Sequence, residues 1–225
     1  YSLVNEKGAS VEVLDYGGII KDIRVPDRYG KLDDIALGQE SMEDYRRNPS
    51  CTGAILGRNA NRIANARFSL GGRTFELDAN LGRHNIHSGS GSYSHKLFAV
   101  EEILSGNKAS LRMKLQDAGE GGFPGAVDFS AMYTFSEDCV LEIEYQAVST
   151  EDTIFNPSSH VYLNLAGHAS GSIRNHLLKL HAAWFTPVDD ERMPTGEILS
   201  VKGTAFDFTE FRRIGDGLDQ QDAQT

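Results

Sequence analysis

The residues of this chain whose types could do chemistry fall into three stretches. In Gly57-Arg58-Asn59-Ala60-Asn61-Arg62, two arginines and two asparagines crowd into six residues directly after the apolar run Ala54-Ile55-Leu56. A guanidinium presents a planar fork of donors and a carboxamide both donates and accepts, so the cluster suits a hydroxyl-rich ligand. A lone Arg-Asn pair beside a strand is ordinarily solvated, so its meaning depends on its neighbours. One neighbour is His87, in Asn85-Ile86-His87-Ser88-Gly89. The second stretch holds His160, in Asn156-Pro157-Ser158-Ser159-His160-Val161-Tyr162-Leu163-Asn164-Leu165-Ala166-Gly167. Strand periodicity puts His160, Tyr162 and Asn164 on one face and Val161, Leu163 and Leu165 on the other. Such a polar face suits the floor of a cleft, although an isolated histidine is more often a buried one satisfied by its neighbours. The third stretch is the acidic loop Asp189-Asp190-Glu191 after Pro187, which by itself reads as solvated charge.

The elements that must position these residues read as antiparallel β structure. The hairpin Phe68-Ser69-Leu70, Gly71-Gly72, Arg73-Thr74-Phe75-Glu76-Leu77 is expected to hold Arg62 and His87 on a rigid scaffold. Before it, residues 1–5 and 11–14 alternate around Glu6-Lys7-Gly8, followed by strands at 22–25 and 35–38 with a Pro/Asp/Gly turn between them. Ser41 caps a predicted short helix that Pro49 stops. Further strands are predicted at 97–104 and 109–115, joined by Ser105-Gly106-Asn107-Lys108, and at 127–135 and 140–148. In the last of these, Leu141, Ile143 and Tyr145 oppose Glu142, Glu144 and Gln146. The loop Asp117-Ala118-Gly119-Glu120-Gly121-Gly122-Phe123-Pro124-Gly125 holds too many glycines for a regular element.

Length and balance narrow the class. At 225 residues the chain suits one large all-β domain over 1–225, with no linker or internal repeat. The 22 basic and 32 acidic residues give a formal charge of −10, which argues against a nucleic-acid or anionic-membrane surface. Cys51 and Cys139 are far apart and are expected as free thiols of a reducing, cytoplasmic compartment. No apolar run reaches membrane-span length, and no signal-peptide pattern is seen. The start at Tyr1 rather than Met leads us to expect residues before it. His84 stands three residues before His87 without a third ligand in zinc spacing, and His95, His168, His176 and His181 have no motif around them.

The motifs together resemble the aldose 1-epimerases, or galactose mutarotases. Gly57-Arg58-Asn59-Ala60-Asn61-Arg62-Ile63-Ala64 with Asn85-Ile86-His87-Ser88-Gly89 is similar to the family's Gly-Arg-x-Ala-Asn-Arg-Ile-Ala and Asn-x-[Leu/Ile]-His-[Gly/Ser]-Gly. The segment around His160 resembles Asn-His-[Ser/Thr]-Tyr-Phe-Asn-Leu-[Ala/Ser]-Gly, with Ser159 and Leu163 as departures. Thr186-Pro187-Val188-Asp189, Met193-Pro194-Thr195-Gly196-Glu197 and Gly203-Thr204-Ala205-Phe206-Asp207-Phe208 match further motifs. The glycine-rich loop does so with Ala118 in place of a glycine.

The resemblance implies a large antiparallel β-sandwich of the galactose mutarotase type, incomplete at its C-terminus. It also implies interconversion of the α and β anomers of a free aldose, such as galactose or glucose. That reaction is paired acid–base catalysis and needs no metal or cofactor. By the resemblance His160 is the acid toward the ring oxygen, His87 and Arg62 bind and polarise that side of the sugar, Asn61 assists, and Asp189 fixes hydroxyls. The expected partner is a small sugar; sugar preference and oligomeric state are not legible. The family's general base is a glutamate that would lie after Thr225. Three accounts are open at this point: a longer protein that supplies it, a non-catalytic sugar-binding member, or Glu120 as substitute. A hexose 6-phosphate epimerase is a further alternative, but it would want more basic residues near His160 and Asp189 than Arg192.

Overall fold

Alternation near the N-terminus becomes a four-stranded antiparallel sheet. Its strands are β1 (Ser2–Val4), β2 (Ser10–Val13), β3 (Ile20–Pro26) and β4 (Leu32–Asp34), paired in chain order. The computed structural model describes residues 1–104 and 108–220, Glu102 by its backbone alone. Asn5 shapes the first turn, its Oδ1 accepting the N–H groups of Lys7 and Ala9 at 3.1 and 3.0 Å. The fourth strand lies earlier than the predicted 35–38. Buried Asp34 is the cause: its Oδ1 accepts from the N–H groups of Ile23 and Ala36, both at 3.0 Å. A carboxylate thus occupies the position of a ladder carbonyl, and the ladder ends.

Helix α1 (Met42–Arg47) begins as predicted, with Ser41 Oγ accepting the Asp44 N–H at 3.2 Å. Glu43 and Asp44 in its first turn and Arg46 and Arg47 in its last suit the helix dipole. Short pieces follow: β5 (Ile55–Leu56), β6 (Arg62–Ile63), β7 (Arg67–Leu70), β8 (Arg73–Glu76) and β9 (Asn85–Ile86). β7 and β8 form the predicted hairpin. Gly71 and Gly72 both take positive φ (57° and 76°), as a two-residue turn between twisted strands requires. That hairpin does not itself hold Arg62 and His87, contrary to expectation. It is an excursion between β6 and β9, which pair directly as Arg62↔Ile86 and Ile63↔Asn85.

The second sheet is long and regular: β10 (Ala99–Leu104), β11 (Lys108–Asp117), β12 (Val127–Ser136) and β13 (Leu141–Ser149). The turn predicted at 105–108 falls, for 105–107, outside the described residues. β12 buries Val127, Phe129, Ala131, Tyr133 and Phe135 on one face, and β11 adds Leu111, Met113 and Leu115. These meet Leu3, Val11, Val13, Ile20 and Ile23 of the first sheet in one core, so two antiparallel sheets make a sandwich. Each large apolar side chain buried there contributes about 1.5–3 kcal/mol. On β13, Leu141, Ile143 and Tyr145 are half-buried and Glu142, Glu144 and Gln146 exposed, as the alternation predicts. β14 (Ser158–Ser159) then pairs with β5.

All of this belongs to the first of two compact units, Tyr1–Leu163. The second, Asn164–Thr225, contains β15 (Leu177–Leu178), β16 (Trp184–Phe185), β17 (Leu199–Ser200) and β18 (Arg212–Arg213), paired β15–β18 and β16–β17. The strand predicted to end at Pro187 ends at Phe185, and Val188 bridges Pro194 across the loop. The stretch from Asp216, a polar tail by composition, begins inside helix α2 (Ile214–Leu218), where Gly215 and Gly217 are buried. Residues 221–225 lie outside the described ones. Among the described residues no helix is long and apolar enough to cross a membrane.

Candidate active site

Arg58 and Arg62 look alike in the sequence and end in opposite environments. Arg58 is 1% exposed, and its Nε donates to Asp117 Oδ2 at 2.9 Å. Its remaining donors reach the carbonyls of Pro124 (2.6 Å) and Gly125 (3.0 Å) and the hydroxyl of Thr153 (3.1 Å). Asp117 Oδ2 also accepts the Tyr93 hydroxyl at 3.0 Å, and burial, then the Asp117 carboxylate, push that hydroxyl far above its usual pKa. Arg58 therefore ties the glycine-rich loop to the chain and takes no part in a ligand-facing cluster, which corrects the reading of both arginines together. Arg62 is half-buried. It donates through Nη1 to Asn61 Oδ1 at 3.1 Å, while its Nε is buried without a partner among the described residues.

His87 is held by its exchange with Asn61. The His87 N–H donates to the Asn61 carbonyl, and the Asn61 N–H donates to His87 Nδ1, both at 3.0 Å. An Nδ1 that accepts a hydrogen bond leaves the neutral ring's proton on Nε2. Burial, then the neighbouring His160 and Arg62, lower the His87 pKa to about 4. At neutral pH His87 is thus an uncharged donor through Nε2. Both Asn61 and His87 have positive φ (63° and 51°), a conformation that persists where the surroundings enforce it. Ser88 helps: its buried hydroxyl accepts the Asn59 N–H at 2.8 Å and donates to the Asn59 carbonyl at 3.2 Å.

His160 sits just past β14. Its N–H donates to the Ala54 carbonyl (2.8 Å) and its carbonyl accepts the Gly53 N–H (2.9 Å). Gly53 is required there, because its φ is 76° and a Cβ would stand 2.4 Å from the Ile20 carbonyl oxygen. The rings of His87 and His160 meet edge-to-face, centroids 5.5 Å apart, and the Tyr162 ring lies 5.0 Å from that of His160. A cavity of about 520 Å³ is lined by Asn61, Arg62, His87, Ser159, His160 and Tyr162. A second hollow of about 470 Å³ shares His87, His160 and Tyr162 and is walled by Asn80 and Ser92.

The predicted polar face of three side chains breaks at its third member. The ladder stops at Ser159, and Asn164 turns into the second unit, donating to the Gly171 carbonyl at 3.0 Å and accepting from Ala166 N–H at 3.1 Å. Val161 packs on the core, whereas Leu163 and Leu165 are exposed. Asp189 also lies in the second unit, where its Oδ1 accepts the N–H groups of Glu191 and Met193, both at 2.9 Å. Among the described residues no group of three or more His, Cys, Asp or Glu is arranged to hold a metal ion. His84 accepts the Asn65 N–H on Nδ1 at 3.0 Å.

A model of the aldose 1-epimerase family matches residues 1–223. The chain belongs to that family. Galactose mutarotase of Bos taurus is 35% identical over 210 residues, which are 93% of this chain and 60% of that protein. Aldose 1-epimerase of Haemophilus influenzae is 36% identical over 224 residues, 99% of this chain and 64% of that one. The crystal structure of galactose 1-epimerase from Lactobacillus acidophilus superposes with a TM-score of 0.89 at 30% identity, over 99% of this chain and 64% of the other. The fold is therefore all-β and of the galactose mutarotase type, as the motif resemblance implied. The chain spans 60% to 64% of the length of these curated relatives.

Within this chain, Asn61, Arg62, His87 and His160 come together in one cavity of the first unit. Two residues of that neighbourhood take no role from the motifs. Tyr162 was visible by its two-residue spacing from His160. Asn80 carried no signal, because what it does depends on a backbone it meets only in the fold.

Proposed function

We propose that the protein is an aldose 1-epimerase that interconverts the anomers of a free aldose, galactose or glucose, by acid–base opening and closing of the ring. The observation that carries this reading is the edge-to-face pair of His87 and His160, 5.5 Å apart, beside Asn61 and Arg62. Opening the hemiacetal requires removal of the C1 hydroxyl proton and delivery of a proton to the ring oxygen; rotation about C1–C2 and the reverse steps give the other anomer. His160 is assigned the proton to the ring oxygen. His87, kept neutral, offers its Nε2 proton as a hydrogen bond, and Arg62 with Asn61 holds hydroxyls on the same side. Asp189 is assigned further hydroxyls, and by the family resemblance the base is a glutamate. Relatives named galactose mutarotase and aldose 1-epimerase support the substrate class.

Two further expectations belong to the same proposal. Residues 1–225 belong to a single mutarotase-like sandwich domain, a reading that the family match across 1–223 supports. The location is cytoplasmic, which fits two free thiols, Cys51 and Cys139.

Polarimetry of freshly dissolved α-galactose tests the activity in the full-length protein. The expected result is relaxation that accelerates in proportion to protein concentration. Thermal stabilisation by the sugar without acceleration would overturn catalysis and leave a sugar-binding module.

A further inference from the structure

The pairing that presents His87 is very short, and something outside it must fix its geometry. β6 and β9 share two rungs, and an isolated pair of that length is not self-sustaining. On the inner side, Asn61 and His87 bond reciprocally and Ser88 clasps Asn59. On the outer side, both backbone groups of Ile86 point away from Arg62 and meet one side chain. Asn80 Oδ1 accepts the Ile86 N–H at 2.8 Å, and Asn80 Nδ2 donates to the Ile86 carbonyl at 3.0 Å. A carboxamide carries the donor and acceptor of a peptide group, so Asn80 acts as one residue of a third strand along β9. Its own loop is closed by Leu81 and His84, which exchange backbone hydrogen bonds at 3.0 and 2.9 Å.

We propose that Asn80 is a positioning residue for His87: its carboxamide locks Ile86, and through it keeps His87 Nδ1 on the Asn61 N–H and Nε2 aimed at the ligand. The catalytic half of this statement rests on the function proposed above. The geometric half does not. Asn80 is exposed and adds nothing to the core, so its loss is separable from unfolding. Its effect comes from orientation, since small displacements of a reacting group cost large factors in rate.

The test uses Asn80→Ala and Asn80→Asp in the full-length protein, with imidazole ¹⁵N NMR and polarimetry on each. In the wild type, His87 is expected as one tautomer, protonated on Nε2. Asn80→Ala should mix the tautomers and lower kcat about tenfold, with KM within about twofold and an unchanged melting temperature. Asn80→Asp keeps the acceptor for the Ile86 N–H and loses the donor, so it should fall between. A wild-type His87 spectrum in Asn80→Ala overturns the proposal. So does a raised KM at unchanged kcat, which would make Asn80 a direct ligand contact, or a rate loss that tracks a lower melting temperature. If the wild type does not accelerate mutarotation at all, the proposed function falls, and the tautomer spectrum alone decides Asn80.

Discussion

The β10–β13 sheet and the corner formed by β6 and β9 are both antiparallel, yet they are held by different means. β11 and β12 pair without a slip from Lys108↔Ser136 to Asp117↔Val127, and every second residue of β12 is buried. A one-residue shift would turn that entire apolar face to solvent, so register follows from pattern. The corner has two rungs and no such pattern. Its register depends on particular side chains: the carboxamide of Asn80, the hydroxyl of Ser88 and the ring nitrogen of His87. A sheet can exchange Leu for Ile and keep its shape. The corner cannot exchange Asn80 or Ser88 in that way, and the corner presents His87.

Substitutions should separate the two regions. Arg58→Leu leaves the Asp117 carboxylate buried and unpaired, and is expected to cost about 3–5 kcal/mol in urea unfolding. Arg62→Leu should change stability by less than about 1 kcal/mol while slowing anomer exchange; equal stability losses would erase the distinction between the two arginines. In the sheet, Leu111→Ala removes a fully buried side chain and is expected to cost about 2–5 kcal/mol, with the rate per folded molecule unchanged. A matching fall in rate would show that the sheet tunes the site directly.

Acid should affect the corner through His87. Its folded pKa of about 4 lies below its ordinary 6.5, so between those values the unfolded chain binds the proton and the folded one does not. Its contribution is full above pH 6.5, and stability falls as pH drops from 6.5 toward about 4. His87→Asn should flatten that part of the profile in urea midpoints measured across pH. A small effect is expected at α1, where Ser41→Ala removes the helix cap and costs about 1 kcal/mol.

What was legible in the sequence follows the same division. The sandwich strands, the Gly71-Gly72 hairpin and the Ser41 cap depend on local pattern, and the structure has them where the pattern places them. β4 moved because the buried Asp34 carboxylate took a ladder position, which periodicity does not register. Arg58 and Asp117 are 59 residues apart, and nothing local distinguishes that buried pair from solvated charge. The histidines were legible because they lie in motifs. The bond from the Asn61 N–H to the ring that fixes the His87 tautomer was not, because it joins residues 26 apart in the chain, both at positive φ.

The most direct test of the central claim is the polarimetric rate of His160→Asn, with His87→Asn beside it, in full-length protein shown by unfolding to be intact. A general acid–base contribution of about 10²–10⁴-fold is expected to be lost when His160 is replaced. Wild-type rates in both variants would contradict the assignment of the reaction to this histidine pair.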